Sequence, residues 1–188
     1  MRTILSVGCF GLMLMCAVGC QKGKDQQTSL AQIEEKAQET RSEHFTKLQP
    51  LEWLIGTWQD VDPDDAITIE TSNNWEERGN FIIQNFSVQR NGQEEMSGQQ
   101  IIGWDPHKKA IRSWIFDTDG GFAEGQWNQE GANWLLDVVA TLPDGRKGST
   151  TYLFSQIKPS SYTWEANDRQ IGDDVLENIG PIKIVRKK

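Results

Sequence analysis

Few side chains in this sequence can carry chemistry, and their neighbours narrow what that chemistry is. Nucleophilic or hydrolytic catalysis needs a nucleophile with a base in reach, most often His. The chain has two, His44 and His107. His107 sits in the turn Asp105-Pro106-His107-Lys108, which places it in solvent, and His44 ends a polar helical stretch where a surface His needs no functional role. Asp117, Asp119 and Glu124 suggest calcium, but the run lacks the remaining ligands of an EF-type loop. An Asp-Gly turn accounts for Asp117 to Gly121. The 27 acidic residues offer too many pairs to single out a glycosidase couple. With no acid–base pair converging, the sequence points away from catalysis, and no metal or cofactor is expected.

Arg112 is the more informative residue. It alternates with Trp114 and Phe116, so one strand face carries a cation among aromatic rings. Facing into a barrel, Arg112 would hold a carboxylate or other anion while Trp rings line the cavity. Facing outward, the commoner placement, it would stack on Trp and pair with a neighbouring acid. The candidate ligand contacts are therefore Arg112, Trp114, Trp75, Trp104, Trp127 and Trp164, with wall packing as the plainer role for each Trp.

The elements that must position these residues are short strands. From Thr57 onward, turn chemistry recurs at Asp62–Asp65, Arg78–Asn80, Asn91-Gly92, Asp105–Lys108, Asp117–Gly120, Gln129–Gly131, Pro143–Gly145 and Lys158–Ser160. Between the turns lie segments of about 8 to 12 residues rich in Ile, Val, Phe, Trp and Thr, the spacing of a hairpin-connected sheet. That predicts about ten strands, the last over Ile182–Lys187. The turns leave no room for crossover helices, so the sheet must be antiparallel, and a sheet that wide closes or folds over. Ile67, Ile69 and Thr71 alternate with polar residues. The segments Phe81–Val88 and Ile111–Phe116 are apolar on both faces, which fits either a lined cavity with a covered exterior or a dimer surface.

Ahead of the strands, Leu48, Leu51 and Leu54 recur every third residue, the pattern of one side of a short helical turn. Gly56 breaks that turn, and Trp58 opens the first strand as a residue too large to leave exposed without cost. The N-terminus reads as a targeting segment. Arg2 supplies a positive start and Ile4 to Gly19 is an apolar run, short for a membrane span and ending in small residues. Residues 21–47 are polar. Gln21–Thr28 has the composition of a flexible tether, and Ser29 with Gln32 suggests a capping box opening a helix that runs to about Lys47. Net charge is −8, which argues against nucleic acid, since phosphate binding needs a basic patch.

These features carry resemblances. Ala17-Val18-Gly19-Cys20 resembles a bacterial lipobox, which implies that Cys20 is acylated and holds the chain at a membrane without spanning it. Cys9 and Cys16 would leave with the signal, so no disulfide or cysteine-based metal site is expected. Gln21, where a retained inner-membrane lipoprotein would carry Asp, favours the outer membrane. A short helix, Gly56-x-Trp58 and a strand meander resemble the lipocalin and calycin barrels. That likeness implies that Trp58 closes the barrel floor and that Arg186, on the last strand, packs across it. Ile102–Pro106, Ile111–Phe122, Gly125–Trp127 and Leu142–Arg146 look like a group of uncharacterised bacterial lipocalin-like barrels. Such barrels often follow a SnoaL-like domain of the nuclear-transport-factor-2 fold, for which residues 21–47 are too few. A haem in the manner of nitrobindin-like barrels would need a His inside the barrel, and neither His fits.

The expectation is then an all-β, about ten-stranded antiparallel meander closed into a lipocalin-like barrel and preceded by a short helix. Residues 1–19 form the lipoprotein signal, 20–47 the lipid-anchored tether and helix, and 48–188 the barrel. Its role would be to hold a small apolar or amphipathic molecule in the cell envelope, facing the periplasm. The alternative is an envelope interaction or structural module whose barrel is filled by its own side chains.

Overall fold

The computed structural model describes residues 43–61 and 67–187, all within the compact unit Gln38–Lys188. The lipobox-like stretch ending in Cys20, the part of the expected tether and helix before residue 43 and the expected turn Asp62–Asp65 lie outside the described residues.

A helical stretch over 43–48 runs into a 3₁₀ turn, Gln49–Leu54. Eleven strands follow: β1 Gly56–Asp60, β2 Ile67–Trp75, β3 Phe81–Arg90, β4 Gln93–Asp105, β5 Ala110–Asp117, β6 Phe122–Glu130, β7 Asn133–Thr141, β8 Lys147–Lys158, β9 Ser161–Ile171, β10 Asp174–Val175 and β11 Ile179–Arg186. Every pairing is antiparallel. Neighbours in sequence pair from β1 through to β9. β11 then inserts between β9 and β1, so ten strands close a barrel with no free edge. The two-residue β10 stands outside that ring, paired only to β9.

Local chemistry explains the short connections. Asn91 and Gly92 both take positive φ, 51° and 76°, between the paired Arg90 and Gln93. A two-residue turn with that backbone matches the natural twist of a hairpin, and Asn-Gly adopts it readily. Turn residues expected from the sequence fall between paired strands throughout the described region. The turn missed there is Gly172-Asp173, which separates β9 from β10, with Gly172 at φ 59°.

One end of the barrel is plugged. Leu48, Leu51 and Leu54 are at most 1% exposed and enter the barrel among Trp58, Ile82, Ile102, Trp134, Phe154, Tyr162 and Ile184. The spacing of three puts all three leucines on one side of the helical segment, and that side is the one the barrel covers.

Across this floor, Trp58 and Arg186 are cross-strand partners, and the guanidinium carbon lies 4.2 Å from the Trp58 ring centroid. Arg186 donates from Nη1 to the Ile55 carbonyl at 2.5 Å and from Nε to the Pro159 carbonyl at 2.9 Å. Trp58 Nε1 donates to the Leu54 carbonyl at 2.7 Å, so its one polar atom is satisfied in the core. Gly56 makes this approach feasible. Its φ is +117°, and a Cβ there would stand 2.1 Å from Arg186 Nη1.

Candidate functional site

The inner face of the wall follows a size gradient. On β6 the inward residues run Ala123, Gly125, Trp127; on β7, Ala140, Val138, Leu136, Trp134; on β8, Gly148, Thr150, Tyr152, Phe154; on β9, Ala166, Trp164, Tyr162. On β6, β7 and β8 the small residue lies far from the plug and the aromatic one beside it; on β9 the aromatics Tyr162 and Trp164 give way to Ala166 before Arg169 and Ile171 reach the mouth. Large side chains therefore fill the floor half, and small ones leave the other half hollow. The hollow measures about 510 Å³ and opens at the end away from the plug. Its wall also includes Ile69, Phe86, Val88 and Ile115.

Aromatic packing makes the base of the hollow. Trp127 stacks on Phe154 at 5.2 Å, and Tyr152 packs at a tilt against Trp164 at 5.4 Å. Two buried polar knots sit at the same level. Gln100 Nε2 and Trp127 Nε1 both donate to Ser113 Oγ at 2.7 Å. Gln84 Nε2 donates to Asn73 Oδ1 at 2.8 Å. These groups are satisfied inside the wall, so the interior at this level stays largely apolar. Trp53 Nε1, Asn80 Oδ1 and Ser87 Oγ are buried without a hydrogen-bond partner. Burial pushes the Tyr162 phenol far up, a hydrogen bond with Thr71 opposing it slightly, and pushes the Tyr152 phenol up against the opposing charge of Arg169. Both phenols are therefore neutral donors at any physiological pH.

Of the six candidate ligand contacts, the structure brings only Trp127 and Trp164 to the cavity. Arg112 and Trp114 require correction as cavity residues. Ser113 is fully buried and bonded to the interior Trp127, so its two neighbours must point out of the barrel. There Arg112 Nη2 meets Glu124 Oε2 at 2.6 Å, and Nη1 lies 3.6 Å from Asp105 Oδ2. Its guanidinium carbon is 5.6 Å from the Trp114 ring centroid. The cation is thus consumed by two acids and a ring on the outer wall. Trp75 and Trp104 are also not cavity residues. Both take wall positions by the plug, Trp75 against Phe45 at 4.9 Å and Trp104 beneath Lys47 Nζ at 5.0 Å. Neither His lines the cavity.

The cation that does line it is Arg169, which sequence reasoning passed over. Between Asn167 and Gln170, β9 spends three residue steps where β8 spends two, from Thr151 to Ser149. The extra residue is a β-bulge, and Asp168 there has φ +52°. Strict alternation from Tyr162, Trp164 and Ala166 would send Asp168 inward and Arg169 outward. The bulge shifts the phase by one, so Asp168 is exposed and Arg169 faces the hollow. Pattern alone cannot show this, because a bulge is a change of register that strand periodicity does not announce. The other ionised lining residue is Asp117. Its Oδ1 accepts from the amides of Asp119 at 3.0 Å and Gly121 at 2.8 Å, which commits it to its own turn. Among the described residues, no group of three or more His, Cys, Asp or Glu is placed to hold a metal ion.

The barrel is similar to the crystal structure of Rv2717c from M. tuberculosis, with a TM-score of 0.54 and 12% identity over 76% of this chain and 98% of that one. At that identity the likeness is one of fold. No protein-family model matches the chain, and no curated protein matches it.

Proposed function

We propose that this protein is a carrier that holds a small apolar or amphipathic molecule inside its barrel, without catalysis, while acylated Cys20 tethers it in the bacterial cell envelope. One observation carries the reading: a hollow of about 510 Å³, sealed at one end by a packed plug and lined mainly by aliphatic and aromatic side chains. Small-molecule pockets fall between about 300 and 1,000 Å³ and are predominantly apolar with a few placed polar groups. A volume of that size also weighs against the alternative module, whose barrel would be filled by its own side chains. The resemblance to lipocalin-like bacterial barrels and the lipobox-like Ala17–Cys20 support the setting, an anchored barrel facing the periplasm. An outer-membrane location is proposed on Gln21.

The lining supports binding over turnover. Its one acid among the described residues, Asp117, is held by turn amides, and no described His stands beside it to exchange a proton. Native mass spectrometry of the protein purified gently from membranes tests the carrier. Expected are a mass increment of one small hydrophobic molecule, lost on organic extraction, and a diacylglyceryl modification at Cys20. A clean unliganded mass from every preparation, together with no uptake of added apolar probes, would overturn the carrier. An unmodified Cys20 would overturn the anchor alone.

A further inference from the structure

We propose that the ligand is a monoanionic carboxylate amphiphile, held tail-down in the barrel with its carboxylate on Arg169 and the Tyr152 hydroxyl. The assignment rests on the carrier reading above and adds the ligand's charge and its orientation. Arg169 Nη1 donates to the Glu177 carbonyl at 2.6 Å, a neutral partner that orients the guanidinium and leaves most of its five donors uncommitted. Among the described residues no carboxylate pairs with it. Each of the other arginines in described ion pairs, Arg90, Arg112 and Arg146, has an acid at 3.1, 2.6 and 2.7 Å respectively. The acid that shares the cavity wall, Asp117, is bonded to its own turn, so the cavity supplies a cation without a matching anion.

The neighbourhood completes the picture. Tyr152 on β8 lines the same cavity and packs its ring at a tilt against Trp164, which holds the ring that carries its hydroxyl. A phenol and a guanidinium lining one cavity offer an incoming carboxylate two kinds of donor. Arg169 lies on the hollow side of Ala166, and the floor aromatics Trp127 and Phe154 lie at the other end. An apolar tail reaching those rings places the head at Arg169. The bulge is the costly part of this arrangement, since it breaks the β8–β9 ladder and puts a non-glycine residue at positive φ. Its consequence is to aim the one lining cation inward. A single guanidinium matches a single negative charge.

Paired probes separate this claim from the carrier reading. Dodecanoate and 1-dodecanol share a tail and differ in charge. Titrated into the full chain and read by tryptophan fluorescence, dodecanoate should bind about tenfold or more tighter than the alcohol. Arg169→Met should erase that preference, with a melting curve close to the parent's showing that the variant folds. Arg169→Lys should keep part of it. Equal affinity for both probes in the unmodified chain, or a preference that survives Arg169→Met, would overturn the carboxylate assignment and leave the carrier standing. Binding of neither probe would overturn both.

Discussion

The floor half and the mouth half of this barrel share one wall and one alternation of side chains, yet one is solid and the other hollow. Beside the plug, Trp58, Trp127, Trp134, Phe154 and Tyr162 pack edge to face and stacked, at centroid distances between 5.0 and 6.3 Å, with three leucines driven in among them. Toward the mouth, the same strands carry Ala123, Ala140, Gly148 and Ala166, and no other described residue fills the volume they leave. A β-barrel wall is held by its hydrogen-bonded ladder all the way round, so it does not need its whole interior filled. The plug supplies the packed core, and the rest of the cylinder is free to be empty. Stability and binding are therefore assigned to opposite ends of one tube.

The largest expected effect tests the solid half. Leu51→Ala removes a fully buried side chain from a cluster with no room to collapse, and should cost about 2–5 kcal/mol in urea unfolding. Val88→Ala, from the cavity wall, opens no new void because one already adjoins it, and should cost about 1 kcal/mol or less. Equal losses at the two positions would erase the distinction between the halves.

A second variant tests the hollow half from the other direction. Ala140→Phe places a ring in the empty volume. Its stability should stay within about 1 kcal/mol of the parent, because the ring enters space and displaces no packed neighbour. Uptake of dodecanoate and of dodecanol should both fall sharply, measured by the same fluorescence titration. Marked destabilisation would mean that the mouth half is packed after all.

Much of the floor was legible in the sequence, and the cavity largely was not. Leu48, Leu51 and Leu54 announce one helical side, and Gly56, Trp58 and Arg186 belong to a pattern joining both ends of the domain. Hairpin spacing is likewise written in Asn-Gly and Asp-Gly steps, so strand count and closure follow from short-range chemistry. Facing is different. Arg112, Trp114 and Phe116 have the alternation of an inner face, and only the bond from Trp127 to Ser113 shows that Ser113 is the inward residue of that strand. The size gradients, such as Ala123-x-Gly125-x-Trp127 and Gly148-x-Thr150-x-Tyr152-x-Phe154, were a usable signal. Small residues at one end of several strands and aromatics at the other mark a tube filled at one end. Arg169 was out of reach, because its direction depends on one extra residue in β9.

The smallest effect expected separates the interior from the rims, where the two ends should behave alike. Asp105 closes the β4–β5 turn beside the plug and Asp144 the β7–β8 turn at the mouth. Asp105 Oδ1 accepts from the amides of Lys108 at 3.0 Å and His107 at 2.9 Å, and Asp144 Oδ1 from Arg146 at 3.0 Å. The Lys108 amide foremost, with His107 and Arg112, holds the Asp105 carboxyl below the ordinary 3.8; the Arg146 amide foremost, then its side chain, does the same for Asp144. A carboxylate with a lowered folded pKa stabilises the fold above its unfolded pKa, and that contribution fades as pH falls through the folded value. Asp105→Asn and Asp144→Asn should therefore each lower the melting temperature slightly at neutral pH. Both differences should close as the pH is taken well below 3.8, followed by thermal scans across that range. Turn chemistry at an exposed rim acts locally, so a pH-dependent loss confined to one end would mean that its turn is coupled to the plug or to the hollow.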